Sequence, residues 1–231
     1  MRNESAESRR YQVLASHDYL LFVPPVRGPH TLGVVALHGY GSNPSDMLRL
    51  TSLAVGRDHV IAAMQGPYQH YLGEPGANAN AAYNWGIRQH WQESIAMHHA
   101  MVSAVAGELQ LEFGLAPERQ VLLGFSQPVG LNYRFVGTRP GAFGGVIGIC
   151  GGVPRDWEED RYEPVKAPIL HISRDEDEFY PVEVANGFPE RLRTHADDVE
   201  FHMLPGKHRF PSTAAGIVRP WLQRKFAVSP T

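Results

Sequence analysis

The run "TLGVVALHG", residues 31–39, constrains this chain more than any other stretch. A strand with one wet face alternates apolar and polar residues, whereas this run is apolar almost throughout, the pattern of a strand buried on both faces. A second run, "HVIAAMQGP", repeats it, and "QVLLGFS", "GGVIGICGGVP", "PILHIS" and "VEFHML" supply further strands. Helical signals fall between them. In "HGYGSNPSDML" Asn43 is placed to cap a helix, Pro44 suits its first turn, Asp46 complements its dipole, and Gly56 stops it. From Trp91 to Phe113 the residues Ile95, Val102, Ala106, Leu109 and Phe113 recur at helical spacing, with Gly114 as the stop. Further helices are expected through "LNYRFVG", "PVEVANGFPERL" and "STAAGIVRPWLQRKF", the last kinked at Pro220. Strand and helix alternate, so the expected fold is α/β. It is a mostly parallel sheet covered by helices on both faces, with ligands bound beyond the carboxyl ends of the strands.

Two segments depart from that rhythm. "YQVLA" and "YLLFVPP", joined by a His-Asp turn, read as an antiparallel opening hairpin. From Gly66 to His90 the chain is rich in Gly, Asn, Ala and Tyr without useful periodicity, and so long a loop in a compact domain is usually functional or mobile. With 231 residues, 43% of them hydrophobic, the chain can bury one good core, and no repeat or linker divides it. The expected organisation is a flexible arm over residues 1–10 and a single domain over 11–231. A formal charge of −3 with scattered Lys and Arg argues against nucleic acid or a polybasic membrane contact. No run approaches the roughly 18 apolar residues that span a bilayer, so no integral membrane segment is expected. The start "MRNESAESRRYQVL" lacks the apolar stretch of a cleaved signal. Cys150, the one cysteine, cannot form an internal disulfide and leaves no cysteine-based metal site, so a cytoplasmic setting is expected.

The chemistry concentrates in "GFSQPVG", residues 124–130. Gly-x-Ser-x-Gly after a strand and before a helix is the nucleophile elbow, which lifts a serine hydroxyl clear of the sheet. Here Pro128 stands where the last glycine belongs. Residue 128 falls in the first turn of the next helix, where N–H groups have no intrahelical partner and proline's fixed φ is acceptable. The remaining costs are steric, because proline pushes Gln127 away from helical backbone angles. A serine at neutral pH also needs a histidine to take its proton and an acid to orient that histidine. Asp177 in "HISRDEDEFYP" and His208 in "LPGKHRFP" both follow strands and would share a rim with Ser126, although Asp175 competes for the acid's place. Acyl transfer further needs donors for an oxyanion. The backbone N–H groups of Gln127 and of Tyr40, in "HGYG", are positioned to supply them.

Together "LHGYG", "GFSQ", an Asp followed four residues on by Pro, and "PGKH" resemble the phospholipase/carboxylesterase group of the α/β hydrolases, which includes acyl-protein thioesterases and broad carboxylesterases. The resemblance runs from Leu32 to Phe226. It implies an α/β-hydrolase fold, a nucleophile, acid and base at Ser126, Asp177 and His208, and oxyanion donors at Tyr40 and Gln127. Departures are Pro128, Cys150 where relatives often carry serine, and the lack of a glycine before the acid. The "YNWG" stretch is loosely similar to a Trp-bearing pocket loop, which makes Trp85, with Phe179, a candidate pocket wall.

The expected activity is that of a serine esterase on a small-molecule ester, with no metal or organic cofactor. The alternatives are a thioesterase, amidase or acyltransferase using the same residues, or a non-catalytic binding module in which Pro128 has disabled the elbow. His98 and His99 are adjacent on a helix, about 100° apart, so they cannot chelate one ion from one face. One is expected to pack near the apolar stripe and the other to face solvent. Cys150 is expected to fill a strand end as a small hydrophobe. Oligomeric state is open.

Overall fold

The computed structural model describes residues 9, 11, 13–73 and 80–227. Its strands are β1 (Tyr19–Phe22), β2 (Gly33–Leu37), β3 (Val60–Met64), β4 (Tyr68–Leu72), β5 (Asn80–Asn84), β6 (Gln120–Phe125), β7 (Gly145–Ile149), β8 (Ile169–Arg174) and β9 (Val199–Leu204). The helices between them are α1 (Pro44–Val55), α2 (Trp91–Phe113), α3 (Val129–Thr138), α4 (Val182–Ala185), α5 (Phe188–Arg193) and α6 (Ala215–Lys225). Seven strands form one sheet in the order β1-β3-β2-β6-β7-β8-β9, parallel except where β1 runs antiparallel to β3.

The all-apolar runs are explained by what covers them. In β2, Val35 and Leu37 face a core layer shared with Val102 and Leu109 of α2 and Tyr133 and Phe135 of α3. Val34 and Ala36 face the opposite layer, with Met47 of α1 and Val218 and Trp221 of α6. Successive side chains of a strand point to opposite faces, so a strand between two helical layers must be apolar at every position. Each fully buried Val or Leu contributes about 1.5–3 kcal/mol. Helix ends follow their local signals. Asn43 Oδ1 accepts the Asp46 N–H at 2.9 Å ahead of α1, and α2 ends on Gly114 at φ 68°, where glycine carries no Cβ penalty.

Three expectations are corrected. The opening hairpin does not form. β1 pairs instead with β3, Tyr19 opposite Met64, while Val13 and Leu14 are exposed and pair with no strand, because the sheet edge offers β1 a long-range partner. The stretch from Gly66 to His90 is not a structureless loop, since β4 and β5 form an antiparallel hairpin with Tyr68 opposite Asn84. The helix expected through "PVEVANGFPERL" is two short ones, α4 and α5, separated at Asn186 and Gly187, with Pro189 in the first turn of α5. α6 continues through Pro220. The expected arm, residues 1–10, lies outside the described residues apart from residue 9. Among the described residues no helix is long and apolar enough to cross a membrane.

Candidate active site

Ser126 sits in the turn between β6 and α3 with φ 64°, a left-handed conformation that costs a side-chain-bearing residue about 1–3 kcal/mol and persists only where its surroundings hold it. They do so from both sides. Its N–H donates to the Ile149 carbonyl at 2.8 Å, and its carbonyl accepts the Val129 N–H at 3.1 Å. A Cβ at Gly124 would lie 2.7 Å from Asn132 Nδ2 and 3.4 Å from the Val129 nitrogen, so a side chain there would displace the Asn132 amide. Pro128 has φ −76°, inside its ring's own range, and α3 begins one residue later. The donor that closes the turn belongs to Val129, and the Pro128 carbonyl still accepts the Asn132 N–H at 2.8 Å. Close packing comes from glycines elsewhere: a Cβ at Gly151 would strike the Val129 side chain, and one at Gly130 would lie 3.2 Å from the Gly152 carbonyl oxygen.

His208 reaches this turn from the loop after β9, and Asp177 from the loop after β8. His208 Nε2 lies 2.8 Å from Ser126 Oγ, and His208 Nδ1 lies 2.7 Å from Asp177 Oδ2. A carboxylate accepts, so Nδ1–H donates to Asp177, and Nε2 is the acceptor that faces the serine hydroxyl. Asp177 is 4% exposed, and its Oδ1 accepts the N–H groups of Phe179 and Tyr180 at 2.9 and 3.0 Å, so both of its oxygens are hydrogen-bonded. Asp175 has a different partner: its Oδ1 accepts the Gly206 N–H at 2.7 Å and ties the two loops together. Glu178 Oε2 accepts the His208 N–H at 3.2 Å. The imidazole is stacked on Phe125 with ring centres 5.6 Å apart, and meets Phe179 edge-on at 4.7 Å. Phe179 is 69% exposed beside it.

The "HGYG" loop after β2 closes the other side. A Cβ at Gly39 would lie 3.0 Å from the Phe125 ring and 3.3 Å from Ser126 Cβ, so glycine permits this approach. The main-chain N–H groups of Tyr40 and Gln127 have no hydrogen-bond partner among the described residues. The Tyr40 phenol is exposed and its ring stacks on His70 at 5.2 Å. His38 is buried: its Nδ1 bonds the Gly39 carbonyl at 2.7 Å and its Nε2 accepts the Gly66 N–H at 3.1 Å. Nε2 can accept only in the neutral ring, and burial pushes the His38 pKa down to about 4.

Other residues lie elsewhere than their sequence suggests. Trp85 is not a pocket wall. Its side chain is fully buried in the core beneath β2 and α2, with Nε1–H donating to the His38 carbonyl at 2.8 Å. Its main-chain N–H donates to Gln127 Oε1 at 2.9 Å, and Gln127 Nε2 donates to the Gly86 carbonyl at 3.2 Å. His98 and His99 are both buried, since α3 covers the face of α2 that was expected to be wet. His98 Nε2 bonds Asn132 Oδ1 at 3.0 Å, and His99 Nδ1 accepts from Arg139 at 2.8 Å. Burial first, then the neighbouring charges, push their pKa values down to about 3 and about 4. Cys150 is buried, its thiol donating to the Arg209 carbonyl at 3.4 Å, and burial pushes the thiol pKa up to about 12. Among the described residues no group of three His, Cys, Asp or Glu side chains is arranged to hold a metal ion. A cavity of about 690 Å³, lined in part by Leu32, Val55, His59, Arg219 and Phe226, opens at the amino-terminal ends of β2 and β3, the opposite end of the sheet from Ser126.

Sequence reasoning missed His38, Ser94 and Asn132. Ser94 Oγ donates to the His90 carbonyl at 2.8 Å, accepts the Ile87 N–H at 3.3 Å and lies 2.9 Å from the Tyr68 hydroxyl, so it anchors the segment after β5 to α2. Only His38 lay in a motif already singled out.

Residues 20–225 match the phospholipase/carboxylesterase family. The chain belongs to that family. Esterase PE8 superposes with a TM-score of 0.72 at 22% identity, over 91% of this chain and 99% of that one. The carboxylesterase from Mesorhizobium loti gives 0.71 at 21% identity, over 89% and 94% of the two chains. The Bacillus cereus carboxylesterase gives 0.71 at 12% identity, over 91% and 95%. At such identities the likeness is one of fold, the α/β-hydrolase arrangement. No curated protein matches the chain in sequence. Family and fold make it a hydrolase of the phospholipase/carboxylesterase family.

Proposed function

We propose that this protein is a serine hydrolase that cleaves small or medium carboxylic esters through an acyl-enzyme on Ser126. The carrying observation is the hydrogen-bonded chain from Asp177 through His208 to Ser126 Oγ, with 2.7 and 2.8 Å links. His208 Nε2 takes the hydroxyl proton as Oγ attacks the ester carbonyl, and Asp177 stabilises the imidazolium that results. The N–H groups of Tyr40 and Gln127 hold the tetrahedral oxyanion, each donor of this kind being worth roughly 10²–10³ in turnover. His208 then returns the proton to the leaving alcohol, and water repeats the cycle on the acyl-enzyme. Phe179, exposed beside His208, forms one wall for the substrate. The backbone angles of Pro128, which suit its ring and leave the turn's hydrogen bonds intact, support a working elbow. The test is steady-state hydrolysis of one acyl group presented as ester, thioester and amide. The ester is expected to turn over fastest, and the Ser126→Ala protein to lose turnover; unchanged turnover in that variant would overturn the assignment.

A further inference from the structure

We propose that the Gln127 side chain and Trp85 form a strut that fixes the spacing and aim of the two oxyanion donors, which makes them positioning residues for the reaction proposed above and rests on that reading. The donors stand on separate loops, Tyr40 after β2 and Gln127 after β6, and Trp85 touches both. Its indole N–H holds the His38 carbonyl, two residues before Tyr40, at 2.8 Å. Its main-chain N–H holds the Gln127 carboxamide oxygen at 2.9 Å, and the carboxamide nitrogen reaches the Gly86 carbonyl at 3.2 Å. A primary amide meeting one N–H and one carbonyl on consecutive residues uses both its donor and its acceptor, which neither a carboxylate nor an alkyl chain can do.

The receiving end is rigid. Trp85 is fully buried, with His38 and His98 packed on its ring at 5.4 and 5.8 Å. Gly86 lies so close to α2 that a Cβ would come 2.7 Å from the Trp91 ring and 3.2 Å from Ser94 Cβ. Pro128 gives the strut a specific task. A proline disfavours helical backbone angles in the residue before it, and that residue is Gln127, whose N–H must point at the oxyanion. Two hydrogen bonds on its side chain oppose the turning that proline favours.

The experiment compares wild type, Gln127→Met and Gln127→Glu in turnover of a small activated ester, with thermal melts and stoichiometric fluorophosphonate labelling on each protein. Misplacing a catalytic group by about 1 Å can cost on the order of 100-fold. We expect kcat to fall about 10- to 100-fold in both variants with KM within about twofold, in protein that melts as a folded species. We further expect the fold-loss from Gln127→Met to shrink several-fold when Pro128 is also changed to Gly, a coupling that a merely structural glutamine would not show. Unchanged kcat, a change confined to KM, or an equal loss in both backgrounds would overturn the strut. Failure of wild type itself to label or turn over would instead overturn the proposed reaction.

Discussion

The loops after β6, β8 and β9 and the segment from Gly66 to His90 meet at the same place by opposite routes. Ser126, Asp177 and His208 stand where parallel strands end, so the sheet alone brings them onto one rim. The segment from Gly66 to His90 has no such address. It is held by bonds from remote residues: Gly66 N–H to His38, Trp85 to His38 and Gln127, and Gly41 N–H to the Tyr83 carbonyl with Tyr83 N–H returning to Ser42. Residues placed at strand ends can be read locally, whereas the position of this segment is written in distant partners.

The comparison breaks most severely at the strand ends. Ser126→Ala or His208→Ala is expected to remove ester turnover by a factor on the order of 10⁴–10⁶, and Asp177→Asn by about 10⁴, in steady-state assays on folded protein. None of these should unfold the protein, since each side chain lies at the rim of the sheet.

The buried histidines sharpen the other half. His38 is held neutral with a pKa near 4, and His98 and His99 near 3 and 4, against an unfolded value near 6.5. Below pH 6.5 the unfolded chain takes up protons that the folded chain refuses, so stability falls as pH drops towards 4, and is unaffected by these groups above about 7.5. Each histidine contributes a slope of up to about 1.4 kcal/mol per pH unit, which denaturant titrations at pH 7 and pH 5 would measure. A smaller effect is expected from Gly66→Ala, whose Cβ would lie 2.7 Å from the Asn84 carbonyl oxygen. Overpacking of this kind costs about 1–3 kcal/mol, and it should loosen the segment and lower turnover while leaving fluorophosphonate labelling of Ser126 complete. The smallest effect belongs to Tyr40→Phe. Only the main-chain N–H of Tyr40 is assigned to the chemistry, so kcat should change by less than about twofold.

The sheet was legible because β2, β3 and β7 are apolar at every position and β6 at every position after Gln120, and that pattern needs helices on both faces. The order Ser126, Asp177, His208 was legible because each follows a strand. Asp177 is the carboxylate that meets His208 Nδ1, at 2.7 Å, while Asp175 turns to the Gly206 N–H, a difference that no local rule describes. "YQVLA" has the composition of a strand, but its described residues pair with no strand, and propensity does not supply a partner. Trp85 was misread as a pocket wall because its surroundings come from β2 and α2. One of His98 and His99 was expected to face solvent, yet both are buried, because Asn132 of α3 and Arg139 just past it supply cover that helical spacing on α2 alone cannot reveal.

The most direct measurement is intact-mass analysis after exposure to a fluorophosphonate, with peptide mapping and parallel Asp177→Asn and His208→Ala proteins. The account predicts one adduct, on Ser126, forming at a rate that drops sharply in both variants. Folded wild-type protein that forms no adduct, or forms it elsewhere, would contradict the central claim.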